Sequence, residues 1–432
     1  MWSQATETVT EDRPARFRDE LHRTVVEALD LSRLDRWPVE RTRSEVQTLA
    51  KSLAPRVDRK LGTAEVQRVA NEVMDEVFGL GPLEPLIRDG SITEILVNGP
   101  RSVYVERDGQ LQPTDVRFTD DGHLVRLVQR IAARVGRRID ESAPLVDARL
   151  PDGSRVHAVL PPLTLNGPVL SIRRFGTGLT AEGLQALGAM PGDVLQFLQA
   201  AVASRVNLLI SGGAGAGKTT LLNALSASIP ADERIVTIED AAELRLQQPH
   251  VIRMETRVPN LEGKGLISQR ELLRNSLRMR PDRIIVGECR GAETVDMLQA
   301  MNSGHEGSMT TLHANDTRDA LARLELLLGV AGFEVPVPVM RGYIAAALPL
   351  LVQVSRLKGG ARKLTRVSEV LGVSKRQQYK VRDLFVFKQE RIDAGHAVGT
   401  FHTTGYTPKL HAKLLAAGYG LGDGFFAERA IP

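Results

Sequence analysis

The sequence predicts an α/β fold: a C-terminal domain built on a parallel sheet, preceded by an α+β domain and an N-terminal helical bundle. Three observations carry this. Residues 206–210, 234–238 and 283–286 are short, β-branched and nearly wholly apolar, the pattern of strands buried on both faces of a parallel sheet. Residues 79–175 alternate short β runs with turn pairs such as Asn98-Gly99 and Asp108-Gly109. Before them, apolar residues recur at helical spacing.

Residues 1–13 are polar and acidic and are expected to fray. The bundle is expected over 14–78. Phe17, Leu21, Val25 and Leu29 fall four apart behind Pro14, which suits a first helical turn. A second helix is expected over 44–53. A third is expected over 63–78, where Val66, Val69, Val73 and Val77 share a face and Thr63 offers a cap. Gly79-Leu80-Gly81-Pro82 ends the helical pattern, and the α+β domain runs to 175. Its strands include 95–97, 103–105 and 170–172, with two more flanking Pro151-Asp152-Gly153 and a helix over 123–135. Residues 176–192, rich in glycine and small side chains, are expected to link it to the domain at 193–432.

Composition narrows the class. A chain of 432 residues exceeds one small core, so two or three domains are expected. With 42% hydrophobic and 25% charged residues it reads as globular and not as disordered. The net charge is +4 with acids and bases interleaved, so direct DNA binding is not expected. An anionic membrane surface or an acidic partner is equally compatible. The one cysteine, Cys289, rules out an internal disulfide and a cysteine-rich metal site, and it fits a reducing cytosol. The first thirty residues lack the apolar segment of a secretory signal. The longest apolar stretch, 344–354, is interrupted by Pro349 and is too short to span a bilayer.

The strongest chemical signal is Gly212-Gly213-Ala214-Gly215-Ala216-Gly217-Lys218-Thr219, which satisfies G-x-x-x-x-G-K-[ST]. It follows the apolar run 206–210 and opens a helical stretch at Thr220. Glycines let successive backbone N–H groups turn toward one anion, and the helix start adds its positive end. Lys218 is expected to reach the β and γ phosphates of ATP, and Thr219 to hold Mg²⁺.

Such a site needs carboxylates at the carboxyl ends of neighbouring strands. Glu288 ends Ile284-Ile285-Val286-Gly287, and Glu239 ends Ile235-Val236-Thr237-Ile238. Glu288 is assigned to Mg²⁺ and its water shell and Glu239 to the attacking water; the two roles are interchangeable on sequence alone. The segment 304–315 carries His305 and His313 without metal-ligand spacing. A sensor that follows the γ phosphate suits it, as does a structural role.

These residues resemble a known family, the secretion and type IV pilus assembly ATPases of the GspE/PilT superfamily, and within it the CpaF-like motors of Tad/Flp pili. The Walker A box is 212–219. The aspartate box resembles 234–240 with Glu243 following, the Walker B box 283–288, and the histidine box 304–313. Stretches at 79–86, 94–98, 147–155, 171–175, 282–290, 299–302 and 384–387 are similar to the same pattern, so the likeness covers about residues 15 to 425. The resemblance implies a homo-hexamer of subunits, each with a RecA-like C-terminal domain and a mobile N-terminal domain, with nucleotide between the two. It implies catalytic arginines on the N-terminal side, drawn from Arg149, Arg155, Arg173 and Arg174, with Arg149, Arg155 and Arg174 foremost. It implies a polytopic inner-membrane platform protein as partner, the motor sitting on the cytoplasmic face. Cys289, beside the Walker B acid, is expected to pack as a small hydrophobe.

Other functions are weighed against this one. A conjugal DNA-transfer ATPase shares the boxes, although that branch typically lacks so long an N-terminal helical region. A RecA-like helicase is disfavoured by the 4% aromatic content, which offers little for base stacking. A nucleotide-binding regulator without turnover is disfavoured because every group needed for hydrolysis is in place.

Overall fold

The computed structural model describes residues 20–22, 24, 25, 28, 39–57, 62–107, 109–174, 178–257, 259 and 264–431. The expected fraying of 1–13, Pro14, Phe17, Leu29, Asp108 and the 175–177 stretch lie outside them. The chain forms two compact units, one reaching to Arg174 and the other following it.

In the first unit, residues 20–22, 24, 25 and 28 are helical, with Leu21 and Val25 fully buried. Helix α1 (Val39–Val57) is longer than the expected 44–53 and carries Pro55 in its last turn. Helix α2 (Thr63–Phe78) has the expected bounds but a different cap. Gly62, not Thr63, occupies the cap position, and the Glu65 carboxylate reaches back to accept the Gly62 N–H at 2.8 Å. Val66, Val69, Ala70, Val73 and Met74 face inward and pack with Leu21, Val25, Val46 and Ala50. A turn and short helix α3 (Glu84–Arg88) lead into the sheet.

That sheet comprises β1 (Ile92–Asn98), β2 (Val103–Arg107), β3 (Gln110–Pro113), β4 (Leu145–Arg149), β5 (Arg155–Val159) and β6 (Val169–Arg173), in the order β3-β2-β1-β6-β5-β4. Every neighbouring pair is antiparallel. Gly109 has φ 76°, as the hairpin between β2 and β3 requires. Helix α4 (Asp121–Arg134) starts where the Asp120 side chain accepts the His123 N–H. Its buried Leu124, Leu127, Val128 and Ile131 pack on one sheet face, and the other face is half-buried to exposed. Glu76 of α2 meets His123 at 3.1 Å, tying the helices to this unit.

In the second unit, helix α5 (Ala181–Ala186) forms inside the stretch expected as a linker, capped by the Thr180 side chain. Small residues hid it, and a good cap with one apolar face was enough to form it. Helix α6 (Gly192–Ala203), β7 (Leu208–Gly212), helix α7 (Lys218–Ser226), β8 (Ile235–Glu239), β9 (Val251–Glu255), helix α8 (Gln269–Ser276), β10 (Arg283–Val286), helix α9 (Glu293–Asn302), β11 (Met309–His313), helix α10 (Thr317–Val330), helix α11 (Val337–Ala347) and β12 (Leu350–Arg356) follow. Then come β13 (Arg362–Val373), β14 (Tyr379–Asp393), β15 (His396–Thr403), helix α12 (Leu410–Ala416) and β16 (Arg429–Ile431). The strands form one sheet, β16-β15-β14-β13-β12-β7-β11-β10-β8-β9. The pairs from β12 to β9 are parallel and those from β12 to β16 antiparallel.

Alternation along the central strands fills two cores. Leu208, Ile210, Ile235 and Ile285 point to one layer, while Leu209, Val236, Ile284 and Val286 point to the other. Arg283 opens β10 fully buried. Its Nε and Nη2 donate to the Glu233 carboxylate at 2.5 and 2.9 Å, and Nη1 donates to the Val202 and Gly307 carbonyls. A guanidinium out of water is tolerable only with such complete pairing. Glu233→Ala is therefore expected to destabilise this unit by about 3–5 kcal/mol in denaturant melts; a loss below about 1 kcal/mol would contradict the pairing.

Candidate nucleotide site

The loop grows from β7, which is buried from end to end. A Cβ on Gly212 would stand 2.5 Å from the Val354 carbonyl oxygen, so only glycine permits this strand to pass β12. Gly215 and Gly217 have φ of 64° and 97°, the left-handed region that a side chain disfavours. Gly213 and Ala214 complete the exposed part of the turn, and Ala216 is buried beneath it. Gly217 caps α7, whose first turn is Lys218, Thr219 and Thr220. Amides of a first turn have no carbonyl one turn behind them, and the helix adds positive potential there. This donor set fits a polyphosphate.

Lys218 Nζ donates to the Gly212 and Gly213 carbonyls, both at 3.1 Å, and lies 3.7 Å from Glu288 Oε1. Glu288 Oε2 accepts from Arg290 Nε at 2.8 Å and from its Nη2. Arg290 also faces Asp240 at 3.9 Å. Burial works against its charge, but the Glu288 bond and the charges of Glu288, Asp240 and Glu243 hold its pKa above the ordinary value. Arg290 is a site residue that sequence reasoning left without a role; its place two residues after the Walker B acid was the available signal.

Glu239 is buried, 3% exposed. One carboxylate oxygen accepts the N–H groups of Glu243 at 2.6 Å and Leu244 at 2.9 Å. The other is buried with no hydrogen-bond partner among the described residues. Burial pushes its pKa up to about 7, against the pull of the two N–H groups and of the Arg253 charge. Gly287 makes room for it, since a Cβ there would sit 3.0 Å from Glu239 Cγ. Gln269, oriented by its hydrogen bonds, joins the two acidic strand ends: its amide donates to the Glu288 carbonyl at 3.2 Å and accepts the Asp240 N–H at 3.3 Å. Thr311 donates to the Gly287 carbonyl at 2.7 Å and bonds the same turn from below.

The histidines separate. His313 ends β11 in register with Gly212, at the loop end of the sheet. His305 precedes β11 at the opposite end, where Asn207 accepts the N–H groups of Gly307 and Ser308. Its Nδ1 is buried without a partner among the described residues. A five-residue strand, about 13 Å long, stands between the two rings' segments. The structure thus brings His313, and not His305, to the loop, which corrects the reading of 304–315 as one cluster. Cys289 is buried, with its thiol pushed up to about 12 by burial and then by the Glu293 charge. Such a thiol is inert.

The arginines lie in the first unit. Cross-strand register aligns Arg149, Arg155, Arg173 and Glu94 in one row over β4, β5, β6 and β1. The row belongs to the sheet face that α4 leaves open, beside a hollow lined by Glu94, Asp147, Arg155, His157, Ser171 and Arg173. Arg174 is not in this row. Its N–H bonds the Thr93 carbonyl, and its Nη1 donates to the Ile92 carbonyl at 3.1 Å and to that of Asp89. Arg173 ends β6 in the row with Arg155, and Arg174 follows just beyond the strand.

The sequence matches the type II/IV secretion system protein family over residues 76–382. The chain belongs to this family. A putative conjugal transfer protein of Mycobacterium tuberculosis is 40% identical over 315 residues, 71% of this chain and 89% of its own length. The type IV secretion system protein VirB11 of Bartonella quintana is 30% identical over 373 residues, 77% of this chain and 99% of its own. The solved VirB11 ATPase of the Brucella suis type IV secretion system is 31% identical, covers 67% of this chain and 95% of its own, and superposes with a TM-score of 0.37. The matched residues include most of the second unit, whose ten-stranded sheet carries the glycine loop. Among the described residues no helix is long and apolar enough to cross a membrane.

The raised Glu239 pKa has a consequence for stability. The folded protein holds this proton up to about pH 7, whereas an unfolded glutamate releases it near pH 4.3. The stabilisation is complete below the unfolded value and is lost as pH rises through 7. Relative to Glu239→Gln, the wild-type protein is expected to lose about 3 kcal/mol between pH 4 and pH 8. Parallel unfolding free energies across that range would refute the shift.

Proposed function

We propose that this protein is a motor ATPase that hydrolyses Mg-ATP as a homo-hexamer and powers assembly of a Tad/Flp-type pilus or export of protein across the inner membrane. The observation that carries it is the placement of Lys218, at the head of α7 in a glycine cradle, 3.7 Å from the Walker B carboxylate Glu288. The family membership supports the secretion role.

Bound Mg-ATP supplies the phosphoanhydride whose cleavage releases free energy. The loop amides and Lys218 bind the β and γ phosphates, and Lys218 neutralises charge on the transferring group. Thr219 and Glu288 are the metal-side residues, Glu288 acting through the water shell. Glu239 takes the general-base role: its free oxygen is shielded from water, and its pKa of about 7 suits proton transfer near neutral pH. Arg290 holds Glu288 in place. His313 follows the phosphate side of the loop from β11. Within the first unit, Arg149, Arg155 and Arg173 form one cationic row across β4, β5 and β6, while Arg174 bonds backbone carbonyls. The motor acts on a polytopic membrane platform protein from the cytoplasmic face.

A second reading, DNA transfer in conjugation, is favoured by one observation, the 40% identity to a putative conjugal transfer protein of Mycobacterium tuberculosis. Genes for pilin and platform proteins beside this one would favour the first reading, and a relaxase gene the second.

Lys218→Ala is expected to lose both Mg-ATP binding and turnover. Glu288→Gln and Glu239→Gln are expected to bind Mg-ATP and to lose about 10²-fold or more in turnover. Isothermal titration and phosphate release measure the two properties separately, and normal turnover in either glutamine variant would withdraw that residue's role.

A further inference from the structure

A loop that grips an anion with its amides must keep its carbonyl oxygens turned away, because the two dipole ends compete for the same space. Lys218 takes the carbonyls of Gly212 and Gly213. The next one held by a cation is that of Gly215, and the cation comes from a distant part of the chain. Arg362 Nε donates to the Gly215 carbonyl at 2.8 Å.

The fold explains how it gets there. Strand β12 lies beside β7 in parallel register, Val354 opposite Gly212. It continues two residues further, to Arg356, past the point where β7 gives way to the loop. The chain turns through Gly359 and Gly360, at φ 87° and 88°, and returns at Arg362, the cross-strand partner of Arg356. The hairpin therefore stands level with the loop. A Cβ on Gly217 would lie 3.6 Å from Arg362 Cδ, and one on Gly215 would lie 3.7 Å from Arg356 Nη1. The two arginines cover both left-handed glycines.

The hairpin is itself braced. Leu357 N–H bonds the Ala361 carbonyl at 2.7 Å. From the β14–β15 hairpin, Ala397 N–H bonds the Lys358 carbonyl at 3.0 Å, and His396 packs so closely on Gly359 that a Cβ there would stand 2.9 Å from its Cα. An arginine mounted this way holds its carbonyl with little loss of freedom.

We propose that the β12–β13 hairpin is a second wall of the nucleotide site, with Arg362 as a positioning residue that fixes the 215–216 peptide and Arg356 adding positive charge for the polyphosphate. This rests on the nucleotide-site reading given above. It places the preorganisation of the loop partly outside the G-x-x-x-x-G-K-[ST] motif.

The test compares the full-length wild type with Arg362→Ala, Arg362→Lys, Arg356→Ala and Lys218→Ala. Mg-ATP and Mg-ADP affinities come from isothermal titration, kcat and KM from phosphate release, and stability from thermal melts without nucleotide. Arg362→Ala is expected to weaken both nucleotides about tenfold and to raise KM in proportion, with kcat at saturation within about threefold and the melt unchanged. Arg362→Lys, which keeps a charge and a donor, is expected to recover part of the affinity. Arg356→Ala is expected to weaken Mg-ATP more than Mg-ADP. Wild-type affinity in Arg362→Ala, beside lost binding in Lys218→Ala, overturns this inference alone. Binding retained in Lys218→Ala overturns the nucleotide site itself. A lowered melt that accounts for the lost affinity of Arg362→Ala assigns the residue to the fold and also overturns the inference.

Discussion

The site depends on parallel register. Five strands, β12, β7, β11, β10 and β8, run the same way and are aligned by their ladders, so their carboxyl ends arrive together. Nothing in the Walker motif by itself puts Glu288 within reach of Lys218. The intervening strand β11 does that, by spacing β10 from β7 at a fixed distance while carrying Thr311 under the Gly287 carbonyl. Burial on both sheet faces makes the alignment stiff, since slipping one residue would turn every core side chain to the wrong layer.

Stiffness also accounts for the contrast between the two acids. Glu288 sits between two cations, Lys218 and Arg290, at a half-buried strand end. Glu239 sits among main-chain N–H groups and apolar neighbours, with one oxygen satisfied and one not. Identical side chains on neighbouring strands thereby meet different surroundings.

Much of this was legible in the sequence because it is written locally. The nearly wholly apolar runs 206–210, 234–238 and 283–286 became β7, β8 and β10 within two residues, since burial on both faces favours that composition. The glycine loop announced itself by spacing. What escaped depends on partners far away in the chain. Arg362 reaches Gly215 across 147 positions, and no local pattern marks that contact. Arg173 and Arg174 are adjacent in sequence, and cross-strand register puts Arg173 in the row with Arg155. His305 and His313 read as one motif until β11 is seen to run between them. The cap of α2 falls on Gly62, which has no side chain to mark it, and the Glu65 carboxylate accepts its N–H.

The antiparallel strands β13 to β16 lengthen the sheet on the far side of the loop, leaving β7 well inside a ten-stranded ribbon. A strand in that position has neighbours to both sides, so it cannot tilt or slide without dragging them. Any push delivered at the phosphate loop therefore spreads sideways through the ladder as well as along α7. The hairpin tips near Gly359 and His396 belong to the same ladder, and the first is joined to the loop by hydrogen bonds and not by flexible chain.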